Sequence, residues 1–190
     1  MAEIARSELI LGGQKSGKSR RAETLARHWL GAAPDRAALL IASALPGDAA
    51  MRERIERHQR DRARRVPGLQ TLEEPLDLAA ALEKHSTPQT LLVVDCLTLW
   101  LTNWLMPAQG DARSEAEVQD AVDDLVKAVQ QAPGPVVLVG NEIGLGVIPL
   151  GREVRGFVDA LGLLNQSVAG VCERVVFMAA GLPLVLKGSL

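Results

Sequence analysis

Eight consecutive residues, Gly12-Gly13-Gln14-Lys15-Ser16-Gly17-Lys18-Ser19, fit the phosphate-binding spacing G-x-x-x-x-G-K-[ST] in full. Glycines at 12, 13 and 17 let the backbone turn tightly and aim successive N–H groups into one concavity, a shape that suits the oxygens of a polyphosphate. In such a loop Lys18 neutralises charge on the β and γ phosphates, Ser19 offers its hydroxyl to Mg²⁺, and the N-terminus of the next helix adds positive dipole. The implied ligand is a nucleoside triphosphate.

Asp95 closes the apolar run Thr90-Leu91-Leu92-Val93-Val94. A carboxylate in that place reads as the Mg²⁺-holding Asp of a Walker B strand, and equally as a cap for the helix that follows. Residue 96 is Cys. The Glu that activates water in motor ATPases is therefore absent, which favours transfer onto a bound acceptor. Ser43 follows the apolar run 37–42, so it falls at the carboxyl end of a strand, where open α/β sheets bind ligands. Asn141-Glu142 ends another such run and opens the glycine-rich stretch 143–149, readable as a turn or as a substrate lid.

His58 lies in the polar segment 48–65, where seven arginines face Glu53, Glu56 and Asp61. Met51, Ile55 and His58 fall at i, i+4 and i+7, which sets the histidine on the single apolar stripe of a charged helix. It is either packed there or catalytic. His28 and His85 have no ligand-spaced partner and read as surface residues.

The elements that must hold these residues follow from periodicity. An apolar strand precedes the loop, and Ala22, Leu25, Ala26, Trp29 and Leu30 mark the helix after it. Strands are expected at 37–42, 69–72, 90–95, 136–140, 175–178 and 182–186. Helices are expected at 48–65, 73–82, 97–106, 118–129 and 154–171, with a turn at 85–88. Strands alternating with helices predict an α/β fold: a single P-loop NTPase domain over residues 1–190, RecA-like, with helices on both faces of a mostly parallel sheet and a hairpin-like C-terminal edge.

Composition narrows the partners. A formal net charge of −2 over 190 residues supplies no global field for nucleic acid or an acidic membrane surface, so a small molecule is expected. Cys96 and Cys172 form neither a CxxC pair nor a disulfide framework, which suits a reducing compartment, by default the cytoplasm. Glu3 and Glu8 flank a short apolar run unlike a signal peptide. No apolar stretch reaches the ~18 residues of a membrane span, so no insertion is expected.

Five blocks carry a resemblance: 12–19, Arg-Ile-Glu-Arg-His at 54–58, Thr-Leu-Glu-Glu-Pro at 71–75, Asp-Cys-Leu-Thr-Leu-Trp-Leu-Thr-Asn at 95–103, and Asn-Glu-Ile-Gly-Leu-Gly-Val-Ile-Pro at 141–149. With Arg152, Arg155, Phe157 and Asn165-Gln166, the chain resembles the bifunctional adenosylcobinamide kinase / adenosylcobinamide-phosphate guanylyltransferase family over nearly its whole length. The resemblance implies phosphorylation of the aminopropanol hydroxyl of adenosylcobinamide by ATP or GTP, then transfer of GMP from GTP to that phosphate. It implies that His58 carries GMP as a phosphoramidate. It further implies nucleotide contacts at 12–19, Ile41, Ala42, Ser43, Gln59, Arg60, Asp61, Arg62, Glu73 and Asp95, Mg²⁺ on Ser19 and Asp95, a corrinoid substrate, and a homo-oligomer. The chain departs from the family pattern after His58: Ala63 stands for a Pro, Leu69 for a Trp, and about three extra residues intervene before Glu73. Two rival readings are a monofunctional P-loop small-molecule kinase and a non-enzymatic nucleotide switch whose loops 43–50 and 141–149 bind a partner protein.

Overall fold

Short runs of Leu, Ile and Val without polar alternation form strands buried on both faces. The computed structural model describes residues 4–45 and 49–190, and of residues 49–52, 54, 55 and 58 the backbone alone. Seven strands, β1 (Ser7–Gly12), β2 (Ala37–Ala42), β3 (Leu69–Glu73), β4 (Thr90–Asp95), β5 (Val136–Val139), β6 (Arg174–Ala179) and β7 (Leu182–Lys187), form one sheet in the order β3-β2-β4-β5-β1-β6-β7. All neighbours run parallel except β6 and β7, which make an antiparallel hairpin at the edge. The strand leading into the phosphate loop and the strand ending in Asp95 are not neighbours. β5 runs between them.

Six helices, α1 (Lys18–Ala32), α2 (Ala49–Arg65), α3 (Leu78–His85), α4 (Leu97–Leu105), α5 (Glu115–Gln131) and α6 (Arg152–Val171), connect the strands. Because side chains alternate along a strand, Leu9 and Leu11 join one core with Leu82, Trp100, Leu125 and Leu164, while Ile10 joins the other with Leu25, Trp29, Val93 and Val139. The sheet is thus packed on both sides, as the sequence predicts.

The starts of two helices differ from expectation for local reasons. Residues 74–77 are a turn, since the Glu74 carboxylate accepts the amides of Leu76 (3.0 Å) and Asp77 (2.9 Å); α3 starts at Leu78 and runs through His85. A side chain that satisfies nearby amides competes with helix formation. α5 starts at Glu115, where Ser114 and Glu117 form a capping box. α4 has Cys96 as its N-cap with no side-chain cap bond from that residue.

Candidate nucleotide site

The phosphate loop is held from both ends. At Gly12 a Cβ would strike the Met178 carbonyl on β6, and at Gly17 it would come within 3.1 Å of the Gly181 Cα. Gly17 also takes a φ of 106° as it enters α1, a conformation that favours glycine. The β6–β7 turn, Ala180-Gly181, closes on the loop from outside, with the Gly181 amide donating to the Ser16 carbonyl at 2.9 Å. No side chain caps α1, so its first amides remain for an anion.

Lys18 is buried, and its ammonium donates to the carbonyls of Gly12 (2.9 Å) and Gly13 (2.6 Å). Burial holds its pKa below the usual lysine value, partly opposed by Cys96 and Asp95. Burial also raises the Cys96 thiol to about 11, so the residue after Asp95 stays neutral at physiological pH.

Around the loop opens a cavity of about 610 Å³. Of the residues expected to bind nucleotide or metal, Gln14, Lys15, Ser16, Gly17, Lys18, Ser19, Ala42, Gln59, Arg62, Glu73 and Asp95 line it together. Gly12 and Gly13 contribute the carbonyls that hold Lys18. Ile41 and Ser43 are fully buried and do not line the cavity; nor do Arg60 and Asp61. Ser43 is instead engaged with the residue that joins β4 to α4, its hydroxyl donating to the Cys96 carbonyl at 2.7 Å and accepting from the Cys96 amide at 3.0 Å. The side chain of His58 lies outside the described residues; its backbone belongs to α2, one position before Gln59.

Two features bring α2 to the phosphate loop. Gln59 donates to Glu73 at 3.3 Å across the cavity, so α2 and β3 meet there although the chain departs from the family pattern between them. Farther along, the Arg65 guanidinium grips Glu23 of α1 at 2.7 and 2.9 Å. Between them Arg62 is 8% exposed, with its Nε buried and unbonded. A buried guanidinium N–H without a partner is costly, and a phosphate oxygen in the cavity would satisfy it.

Several supporting residues escape the sequence reading. Glu8, inside the otherwise apolar β1, accepts from Arg21 of α1 (2.6 Å) and Arg174 of β6 (3.0 Å). A charge in a strand buried on both faces must be paired, which was the available signal. Asn103 donates to the carbonyls of Ser43 (2.8 Å) and Pro75 (3.0 Å), and Thr98 accepts the Asn141 amide at 2.9 Å. Asn141 and Ile143 join the cavity wall.

Residues 8–186 match the family described as cobinamide kinase / cobinamide phosphate guanyltransferase, CobU. The bifunctional adenosylcobalamin biosynthesis protein CobP of Pseudomonas aeruginosa is 48% identical over 184 residues, covering 95% of this chain and 97% of that protein. Its counterpart CobU of Salmonella typhimurium is 33% identical over 187 residues, covering 94% and 98%. Among solved structures, flagellar accessory protein FlaH from Methanocaldococcus jannaschii superposes with a TM-score of 0.55 at 14% identity, covering 98% of this chain and 80% of that one, a likeness of fold alone. With a phosphate loop, a strand-end carboxylate and a family match running from β1 to β7, this chain belongs to the cobinamide kinase / cobinamide phosphate guanyltransferase family of bifunctional enzymes.

Proposed function

We propose that this chain phosphorylates adenosylcobinamide and then moves GMP from GTP to the new phosphate through a guanylylated His58. The observation that carries the reading is the single cavity: Gln59 and Arg62 of α2 share it with the whole phosphate loop. His58 stands one helical turn before Arg62. One polyphosphate site then serves both reactions.

In the first reaction the substrate hydroxyl attacks the γ-phosphorus of ATP or GTP, the bond to the bridging oxygen breaks, and the nucleoside diphosphate leaves as the hydroxyl proton is lost. In the second, a neutral imidazole nitrogen of His58 attacks the α-phosphorus of GTP and pyrophosphate departs. An oxygen of the corrinoid phosphate then attacks that phosphorus, the N–P bond breaks, and adenosylcobinamide-GDP leaves with the imidazole restored. Imidazole suits the step, because an ordinary pKa near ~6.5 leaves it a free electron pair at neutral pH. Splitting the transfer lets pyrophosphate leave before the bulky acceptor approaches. Lys18 and Arg62 hold the charge that develops on the phosphates.

Ser19 and Asp95 face the same cavity and offer hard oxygen donors. Among the described residues no three His, Cys, Asp or Glu side chains cluster as a metal cage. A hydroxyl and one carboxylate, completed by phosphate oxygens and water, fit Mg²⁺, which would supply Lewis-acid neutralisation of the transferring phosphates. The enzyme would work in the cytoplasm, an expectation that stands on its cysteine usage, and as a homo-oligomer, one that stands on the family resemblance; no described helix is long and apolar enough to cross a membrane.

The test is label from α-labelled GTP retained on denatured protein. The expected adduct is labile in acid and stable in base, as a phosphoramidate is, and His58→Ala should lose it together with adenosylcobinamide-GDP formation while still phosphorylating adenosylcobinamide. A monofunctional kinase or a nucleotide switch would retain no label. Undiminished labelling of His58→Ala would move the nucleophile elsewhere.

A further inference from the structure

We propose that the loop between β5 and α6 is the surface on which the corrin ring lies while its side arm reaches the phosphates, an inference that rests on the substrate proposed above. Residues 143–150 contain no charged side chain. Their large apolar side chains, Ile143, Leu145, Val147, Ile148 and Leu150, are all exposed, Val147 at 97% and Leu150 at 96%, and Val154 continues the patch onto α6. Side chains that bare contribute almost nothing to the fold. A contiguous apolar patch of this kind marks a place where something docks.

The backbone beneath them is nevertheless held. The Glu142 amide donates to the Gly12 carbonyl at 3.1 Å, and the Asn165 side-chain amide to the Asn141 carbonyl at 3.1 Å. At the far end Arg155 donates to the carbonyls of Pro149 (3.2 Å) and Leu150 (2.8 Å). The loop is therefore pinned at both ends, which lowers the ordering cost of binding.

Position selects the occupant. Ile143 and Asn141 line the nucleotide cavity, and the loop is bonded to the first glycine of the phosphate loop, so the apolar surface begins where the phosphates lie. A corrinoid combines a broad ring edged with methyl groups and neutral amides and one arm ending in a hydroxyl or phosphate. The ring matches the uncharged loop and the arm matches the cavity. A second copy of the chain would cover apolar area, but nothing in such a contact requires it to start at the phosphate site.

The experiment compares full-length wild type with a double variant, Val147→Asp with Leu150→Asp, and with the milder pair Val147→Ser with Leu150→Ser. Leu163→Asp, an exposed leucine elsewhere on α6, serves as control. Equilibrium dialysis with cobinamide and with GTP is read alongside molecular mass in solution. The aspartate pair should raise the Kd for cobinamide at least tenfold and the serine pair severalfold, with GTP affinity within twofold and mass unchanged. The control should bind cobinamide like wild type. Cobinamide affinity that survives both pairs overturns the loop assignment alone, and a fall in mass under either pair overturns it in favour of a subunit contact. Wild-type protein that binds GTP but no cobinamide sinks the substrate reading, and this inference with it.

Discussion

The Ser43 hydroxyl clips both backbone groups of Cys96, the residue that follows β4, donating to its carbonyl and accepting from its amide. With Asn103 fixing the Ser43 carbonyl, the end of β2 holds the end of β4, where Asp95 stands. Ser43→Ala leaves the buried Cys96 amide unpaired, while the Cys96 carbonyl keeps the Trp100 amide at 3.1 Å, and should destabilise the protein by about 1–3 kcal/mol in denaturant titrations. Turnover of both reactions should fall roughly tenfold or more, because Asp95 loses its brace. Full activity at unchanged stability would mean that the clip positions nothing.

Lys18→Ala should abolish both transfers while the protein still folds, since the ammonium faces the cavity rather than a core. Its lowered pKa adds a test with a definite sign. Between that value and the usual 10.5 the unfolded chain holds a proton that the native state has released, so Lys18's contribution to stability rises with pH in this window. Nucleotide affinity should fall across the same window, as the charge that binds phosphate is lost. Melting and GTP binding measured against pH should show opposite slopes in wild type. The stability slope should flatten in Lys18→Ala, and parallel stability profiles in the two proteins would remove Lys18 as its source.

Asp95→Asn keeps size and removes charge. Because Asn keeps the hydrogen-bonding and capping capacity of Asp, stability should move by about 1 kcal/mol or less. Turnover should become slow and less responsive to Mg²⁺ in a metal titration. Unchanged turnover with unchanged metal dependence would leave Asp95 no part in holding Mg²⁺.

Arg65→Ala cuts the bidentate tie from α2 to Glu23 of α1. Arg65 is half exposed but Glu23 is buried, so removing the guanidinium strands a carboxylate and the stability cost should be about 1–3 kcal/mol. Guanylyl transfer should suffer more than phosphorylation, since only the former depends on placing His58 against the α-phosphate. An equal loss in both activities would make the tie a general support rather than a guide for α2.

Much of the fold was legible because its signals are local. Residues 9–11 of β1, 91–94 of β4 and all of β5 are apolar runs, and α1, α5 and α6 show apolar spacing of a helical period. The start of α3 was misplaced because Glu74 spends its carboxylate on the amides of a turn, a competition that composition does not resolve. The sequence places Ser43 at a strand's end, where a nucleotide contact is expected. Which way its hydroxyl turned depended on β4 lying beside β2.

By itself the sequence determined the phosphate loop, since its chemistry resides in eight consecutive residues, and it determined the strand that ends in Asp95. The tertiary structure alone decided that β5 separates those two strands, that Gly181 of the last hairpin braces Ser16, and that Gln59, Arg62 and Glu73 meet the loop in one cavity. These contacts join residues far apart in the chain. Their geometry follows from strand order and helix packing, which no local spacing encodes.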